Sequence, residues 1–137
     1  MLRVDHIGIA VENLSTAIEK YQNLLKTDCF KTEFVEAENV EVAFFKTENV
    51  NIELLEGKGP ENTISKFVAK RGQGIHHIAL DVKNIEIAIQ EFEQLGFEFI
   101  NKTPKKGGHN KMVCFMHPKS TNGVLFELCE TIKNNND

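Results

Sequence analysis

No stretch of the 137 residues approaches the roughly 18 consecutive apolar positions that a membrane span requires, and the first residues lack a charged-then-apolar signal pattern. A cytoplasmic protein without a membrane partner is therefore expected. Positive charge is also in short supply: 16 Lys and Arg against 20 Asp and Glu leave a net charge of -4, the wrong sign for a chain whose main partner is nucleic acid. Cysteine is scarce. Cys29, Cys114 and Cys129 are odd in number and lack the spacing of a zinc cluster or a redox pair, and two of them sit in apolar runs, so all three read as buried thiols. What remains, 41% hydrophobic and 26% charged residues, is ordinary for one soluble globular domain.

What the chain does have is a repeat. Val4-Asp5-His6-Ile7-Gly8-Ile9-Ala10-Val11 is restated as Ile75-His76-His77-Ile78-Ala79-Leu80-Asp81-Val82, with His6 and His77 71 residues apart. Asn13 meets Asn84, Ala17 meets Ala88 and Tyr21 meets Phe92 at the same offset. Later, Val50 to Glu56 lies over Val124 to Glu130 at an offset of 74. Such self-similarity predicts two like modules in one chain.

Periodicity gives each module the order β-α-β-β-β. Arg3 to Val11 reads as a strand, with His6, Gly8 and Ala10 on a small-residue face that leaves room and Ile7, Ile9 and Val11 on a bulky face that packs. Asn13 or Ser15 can cap a helix whose stripe is Ala17, Ile18, Tyr21, Leu24 and Leu25. Strands follow at Cys29 to Glu36, Val40 to Lys46 and Asn51 to Glu56, closing module one at residues 1–57. Residues 58–73 form a spacer in which Ile64, Phe67 and Val68 predict a short helix. Module two, residues 74–131, repeats the order: a strand from Gly74 to Val82, a helix with Ile85, Ala88, Ile89, Phe92 and Leu95 inward, and strands at Phe97 to Asn101, Lys111 to Met116 and Val124 to Glu130. A frayed tail is expected over residues 132–137.

Each module thus supplies one His early and one Glu late. Glu53 lies among Ile52, Leu54 and Leu55, and Glu127 between Phe126 and Leu128, in strands that otherwise call for burial. An ionised carboxylate there is costly unless paired or metal-bound. If His6, His77, Glu53 and Glu127 converge, two imidazoles and two carboxylates suit Co²⁺, Mn²⁺, Ni²⁺, Fe²⁺ or Zn²⁺, and a thiol-free set argues against a structural zinc knot. His76, on the other face from His77 and without a copy, reads as structural; His109 and His117 fall in loops. Lys102, Lys105, Lys106, Lys111 and Lys119, with Gly107 and Gly108 among them, make either a solvated loop or a landing site for an anionic ligand tail.

Asp5 to Val11, Ile52 to Glu56, Ile64-Ser65-Lys66-Phe67, Gly74 to Ala79, and His117-Pro118-Lys119-Ser120 followed by Gly123 to Leu128 together resemble the vicinal oxygen chelate superfamily (glyoxalase, bleomycin resistance, dioxygenase) and, within it, the methylmalonyl-CoA epimerases. The resemblance implies an α+β fold in which paired βαβββ modules form a cupped mixed sheet with helices on its outer face. It also implies His6, Glu53, His77 and Glu127 as ligands of a divalent metal, Co²⁺ first among them, although some epimerases carry Gln at the position of Glu53. The implied reaction inverts (2R)/(2S)-methylmalonyl-CoA at C2 through an enolate, with Glu127 as one base and a second aligning at or within one residue of Glu41. Strand alternation decides whether Glu41 can serve: it does so only if the Ala43 and Phe45 side faces the substrate. Lys119 would meet the CoA phosphates or the free carboxylate, and a homodimer is common among the relatives. Rival readings of the same fold are a glyoxalase I type lyase and a non-enzymatic binding protein of the bleomycin-resistance kind; an extradiol dioxygenase would need only three of the four ligands.

Overall fold

The computed structural model describes residues 1–133, and its elements follow the doubled order. β1 (Arg3–Ala10), α1 (Leu14–Leu25), β2 (Lys31–Val35), β3 (Val40–Lys46) and β4 (Asn51–Gly57) make the first βαβββ module. α2 (Thr63–Arg71) links it to β5 (Gly74–Asp81), α3 (Ile85–Gln94), β6 (Lys105–Lys106), β7 (Lys111–Phe115) and β8 (Phe126–Thr131). The order is that of an α+β fold built from two βαβββ modules. Two compact units are present, His6–His76 in one and Met1–Asp5 with the chain from His77 onward in the other. Among the described residues no helix is long and apolar enough to cross a membrane.

In the first unit β1 runs parallel to β4, and β4, β3 and β2 pair antiparallel in that order. Register sorts the side chains into two faces. Ile9, Val11, Ala43, Phe45, Ile52 and Leu54 pack with Leu14, Ala17, Ile18 and Tyr21 of α1. The other face carries Ala10, Val35, Val40, Val42, Phe44 and Leu55, and these meet Ile64, Phe67 and Val68 of α2. Both faces are therefore covered: Ala10, on the face expected to leave room, is fully buried. The helix that reads as a spacer is the exception to helices lying on the outer side, because α2 covers the face that carries His6 and Glu53. Gly57 is what lets it come close. A β-carbon there would stand 2.4 Å from both Asn62 Oδ1 and Ser65 Oγ at the start of α2, inside any real contact distance.

The second unit repeats the scheme. β5 is parallel to β8, and β7 lies antiparallel between β8 and β6. Leu80, Phe126, Leu128, Cys114 and Met112 face Ile85, Ala88 and Ile89 of α3, while Ala79, Val113 and Cys129 cluster on the opposite face. The strand expected over Phe97 to Asn101 is reduced to a single bridge, Phe99 to Met116, and the place beside β7 is taken by Lys105–Lys106. Phe97 and Phe99 instead turn inward onto the α3 cluster, because burying two rings outweighs a backbone ladder that the following polar segment could not extend. The chain also stays ordered past Thr131: Ile132 exchanges hydrogen bonds with Asn110, through its N–H to the Asn110 carbonyl and its carbonyl from Asn110 Nδ2, both 2.9 Å. The rest of the expected tail, residues 134–137, lies outside the described residues.

Both long helices start with the same two devices. Asn13 Oδ1 accepts from the Thr16 N–H and Asn84 Oδ1 from the Ile87 N–H, at 2.9 and 3.0 Å. The Leu14 N–H donates to Glu56 Oε1 at 2.8 Å and the Ile85 N–H to Glu130 Oε1 at 2.7 Å. Together they satisfy donors that the first turn of a helix leaves without intrahelical partners.

Candidate metal centre

Within the first unit the register His6↔Asn51 and Gly8↔Glu53 sets His6 and Glu53 on one face of adjacent parallel strands, offset by one row. His6 Nδ1 lies 3.0 Å from Glu53 Oε2, with side chains 4% and 12% exposed. In the second unit Ala79 is the residue opposite Glu127, and His77 Nε2 lies 3.8 Å from Glu127 Oε2, with side chains 5% and 7% exposed. Next in each row comes an aromatic, Phe44 opposite Glu53 and Phe115 opposite Glu127. The His77 ring meets Phe115 edge-on at 5.6 Å and 89°, which fixes its plane. The two phenylalanines are counterparts in the repeat and are not among the residues singled out from the sequence; their shared offset of 71 was the available signal.

Each repeat thus buries one imidazole against one carboxylate, where an unpartnered charge would be expensive. Nitrogen and oxygen donors without a thiol are the chemistry that binds borderline and hard divalent ions. Burial pushes the Cys114 thiol up to about 11, and burial followed by the nearby Asp5 carboxylate pushes Cys129 higher still.

Glu41 is placed otherwise. Alternation along β3 puts it with Ala43 and Phe45 on the α1 side, opposite to Glu53, and its carboxylate pairs with Lys58 Nζ at 3.1 Å, 38% exposed. Its neighbours on the Glu53 face, Val40 and Val42, are buried and apolar. An odd number of residues from Phe44, Glu41 lies on the opposite face from that ring. Lys58 also binds Glu56, and although burial works to raise the Glu56 carboxyl, the Lys58 and Leu14 hydrogen bonds outweigh it and hold it below the ordinary value.

The lysine-rich loop does not form one anion site. Lys111 is buried, with Nζ 3.1 Å from Asp5 Oδ1 and 2.9 Å from Thr131 Oγ1, and Arg3 reaches the same Asp5 oxygen at 3.0 Å. Lys102 pairs with Glu93 at 2.6 Å and Lys119 with Glu98 at 3.4 Å, while Lys105 and Lys106 are exposed. His117-Pro118-Lys119-Ser120 folds on itself: His117 Nδ1 accepts from the Lys119 N–H at 3.2 Å, and Ser120 Oγ donates to the His117 carbonyl at 2.9 Å. His76 lies edge-on to Phe67 at 5.1 Å, a packing role.

Two βαβββ modules, each holding a His beside a Glu, are the frame of the chain. The chain belongs to the Glyoxalase/Bleomycin resistance protein/Dioxygenase superfamily, whose model matches residues 5–115. It is 38% identical over 129 residues to the mitochondrial methylmalonyl-CoA epimerase of Dictyostelium discoideum, spanning 93% of this chain and 78% of that one. Among solved structures, the methylmalonyl-CoA epimerase of Mycobacterium tuberculosis superposes with a TM-score of 0.90 at 30% identity, over 96% of this chain and 89% of the other. A methylmalonyl-CoA epimerase in complex with methylmalonyl-CoA and ammonium gives 0.88 at 30% identity, over 96% and 95%.

Proposed function

We propose that this protein epimerises methylmalonyl-CoA at C2 in a metal-dependent reaction. The observation that carries the reading is the duplicated His–Glu pair, His6 with Glu53 and His77 with Glu127, in a chain whose relatives are epimerases of that name. These four side chains would hold one divalent ion, Co²⁺ in our reading, with Mn²⁺, Ni²⁺, Zn²⁺ or Fe²⁺ as substitutes. When bound, the ion supplies a positive centre for the negative charge that develops on the thioester oxygen as C2 loses its proton.

The protein's own residues do the rest. Glu127 is the carboxylate we assign to proton removal and return at C2; buried beside Phe115 and fixed by its strand, it meets the substrate with little water in competition. Phe44 and Phe115 wall their rows and exclude solvent from the carbon acid. Glu41, on the α1 side of the sheet, takes no part. Lys119 is the residue we assign to an anionic part of the CoA ester, and the working form we propose is a cytoplasmic homodimer.

The test is hydrogen–deuterium exchange at C2 of methylmalonyl-CoA in heavy water, on chelator-treated protein before and after adding Co²⁺. Exchange that returns with the metal, together with negligible turnover of methylglyoxal plus glutathione, is expected. Exchange indifferent to chelation removes the metal from the reaction; faster turnover of the hemithioacetal than of the thioester makes the protein a lyase.

A further inference from the structure

The row that holds Glu53 does not stop at Phe44. Register continues from Gly8 to Glu53, Phe44 and then Lys31, so one face of the first unit's sheet ends on a cation. Lys31 lays its stem inward: Nζ stands 5.8 Å from the centre of the Phe44 ring and 3.0 Å from Glu33 Oε1, with the side chain 42% exposed. A second cation lies on the same face. Lys46 lies two residues beyond Phe44 on β3, hence on its face, in the row of Asn51 and His6, and is exposed. Lys31 and Lys46 are diagonal neighbours across an antiparallel pair, which separates their β-carbons by about 7 Å.

Both cations thus stand on one face of the sheet, and Glu33 pairs with Lys31. Two strand spacings of about 4.8 Å put the backbone of Lys31 roughly 10 Å from that of Glu53, so a lysine stem of about 6 Å leaning inward spans much of the gap. A charged residue on an edge strand can serve merely to block sheet-to-sheet pairing, but that role does not call for a stem laid over a buried aromatic or for a second cation on the same face.

We infer that Lys31 and Lys46 form an anion-binding pair for the acyl-CoA substrate, taking either its free carboxylate or a phosphate of its nucleotide, and that Glu33 holds the Lys31 ammonium when no anion is present. This rests on the epimerase reading for the identity of the anion but not for its chemistry. Release of Lys31 from Glu33 to the ligand exchanges one carboxylate partner for another anion and leaves the Glu33 carboxylate, 29% exposed, to be met by water.

The experiment is calorimetric titration of the full, Co²⁺-loaded chain with coenzyme A and, separately, with methylmalonate, at low and at physiological salt, for the parent, Lys31→Met, Lys46→Met and Glu33→Gln. Both lysine variants should bind one of the two probes about tenfold more weakly at low salt with melting temperatures unchanged, and Glu33→Gln should bind that probe more tightly. Weakening confined to coenzyme A assigns the phosphate; weakening confined to methylmalonate assigns the carboxylate. Parent-like affinity of both lysine variants for both probes, or no binding by the parent, overturns the inference, as does a Glu33→Gln variant weakened like the lysine variants, which would make the pair structural. Epimerase turnover by the parent, measured apart, decides the reading on which the anion's identity rests.

Discussion

Glu130→Ala should destabilise the protein by about 2 kcal/mol, because its carboxylate accepts the Ile85 N–H at 2.7 Å at the start of α3, and hydrogen bonds to charged groups contribute roughly 1.5–3 kcal/mol. The N–H cannot turn to water instead, since Ile85 is 4% exposed, and Asn84 is already committed to Ile87. With an unfolding entropy of about 2.1 cal/mol/K per residue, a chain of this length loses roughly 0.3 kcal/mol per kelvin, so 2 kcal/mol corresponds to a fall of about 7 °C in Tm. Glu130→Gln keeps the acceptor oxygen and loses only the charge at a helix N-terminus, an effect of about 0.3–1 kcal/mol. Urea unfolding followed by circular dichroism, with m compared across variants, gives both numbers. The reasoning is refuted if Glu130→Ala costs less than about 0.5 kcal/mol at unchanged m, or if Gln and Ala cost the same, which would leave the hydrogen bond without a role. Activity per folded molecule should not change, as the cap lies on the α3 side of the strand.

Glu56, the counterpart cap, has its carboxyl held below the ordinary value, so its contribution is present above the unfolded-state pKa and is lost as pH falls through the lower folded value; Glu56→Gln should therefore be less stable than the parent at neutral pH, converge with it in acid, and show a flatter acid limb in urea unfolding against pH. Glu41→Gln should leave C2 exchange within about twofold of the parent, whereas Glu127→Gln should lower it by at least about 10²-fold, the usual contribution of a positioned acid or base; equal losses would return Glu41 to the site. Iodoacetamide at neutral pH should label Cys29 in the native protein and reach Cys114 and Cys129 only on unfolding, by peptide mass, because Cys129 and Cys114 are buried and the Cys114 thiol is pushed up to about 11.

The duplication was legible because it is written in one dimension: two His and two Glu at matched offsets, with strand alternation enough to set each on a definite face. Helix starts were equally local, since Asn13 and Asn84 act on their own first turns. The same repeat aligned Glu56 with Glu130, yet nothing in sequence distinguished those copied carboxylates, which cap helices, from Glu53 and Glu127, which face the imidazoles. That difference is three residues of strand, an odd step, and so a change of face.

Where periodicity is short or burial comes from elsewhere, the chain alone was silent. It determined two βαβββ modules, most of their strands and the matched His and Glu positions, because hydrophobic alternation and capping are nearest-neighbour physics. Only the folded protein decided that α2 covers the face of the first unit that carries His6 and Glu53, that Glu41 turns to the helix side, that Lys111 is spent on buried Asp5, and that Lys31 leans over Phe44. Each of those depends on which distant strand lies alongside and in what register, and register is fixed by the packing of whole faces rather than by any residue's own preference.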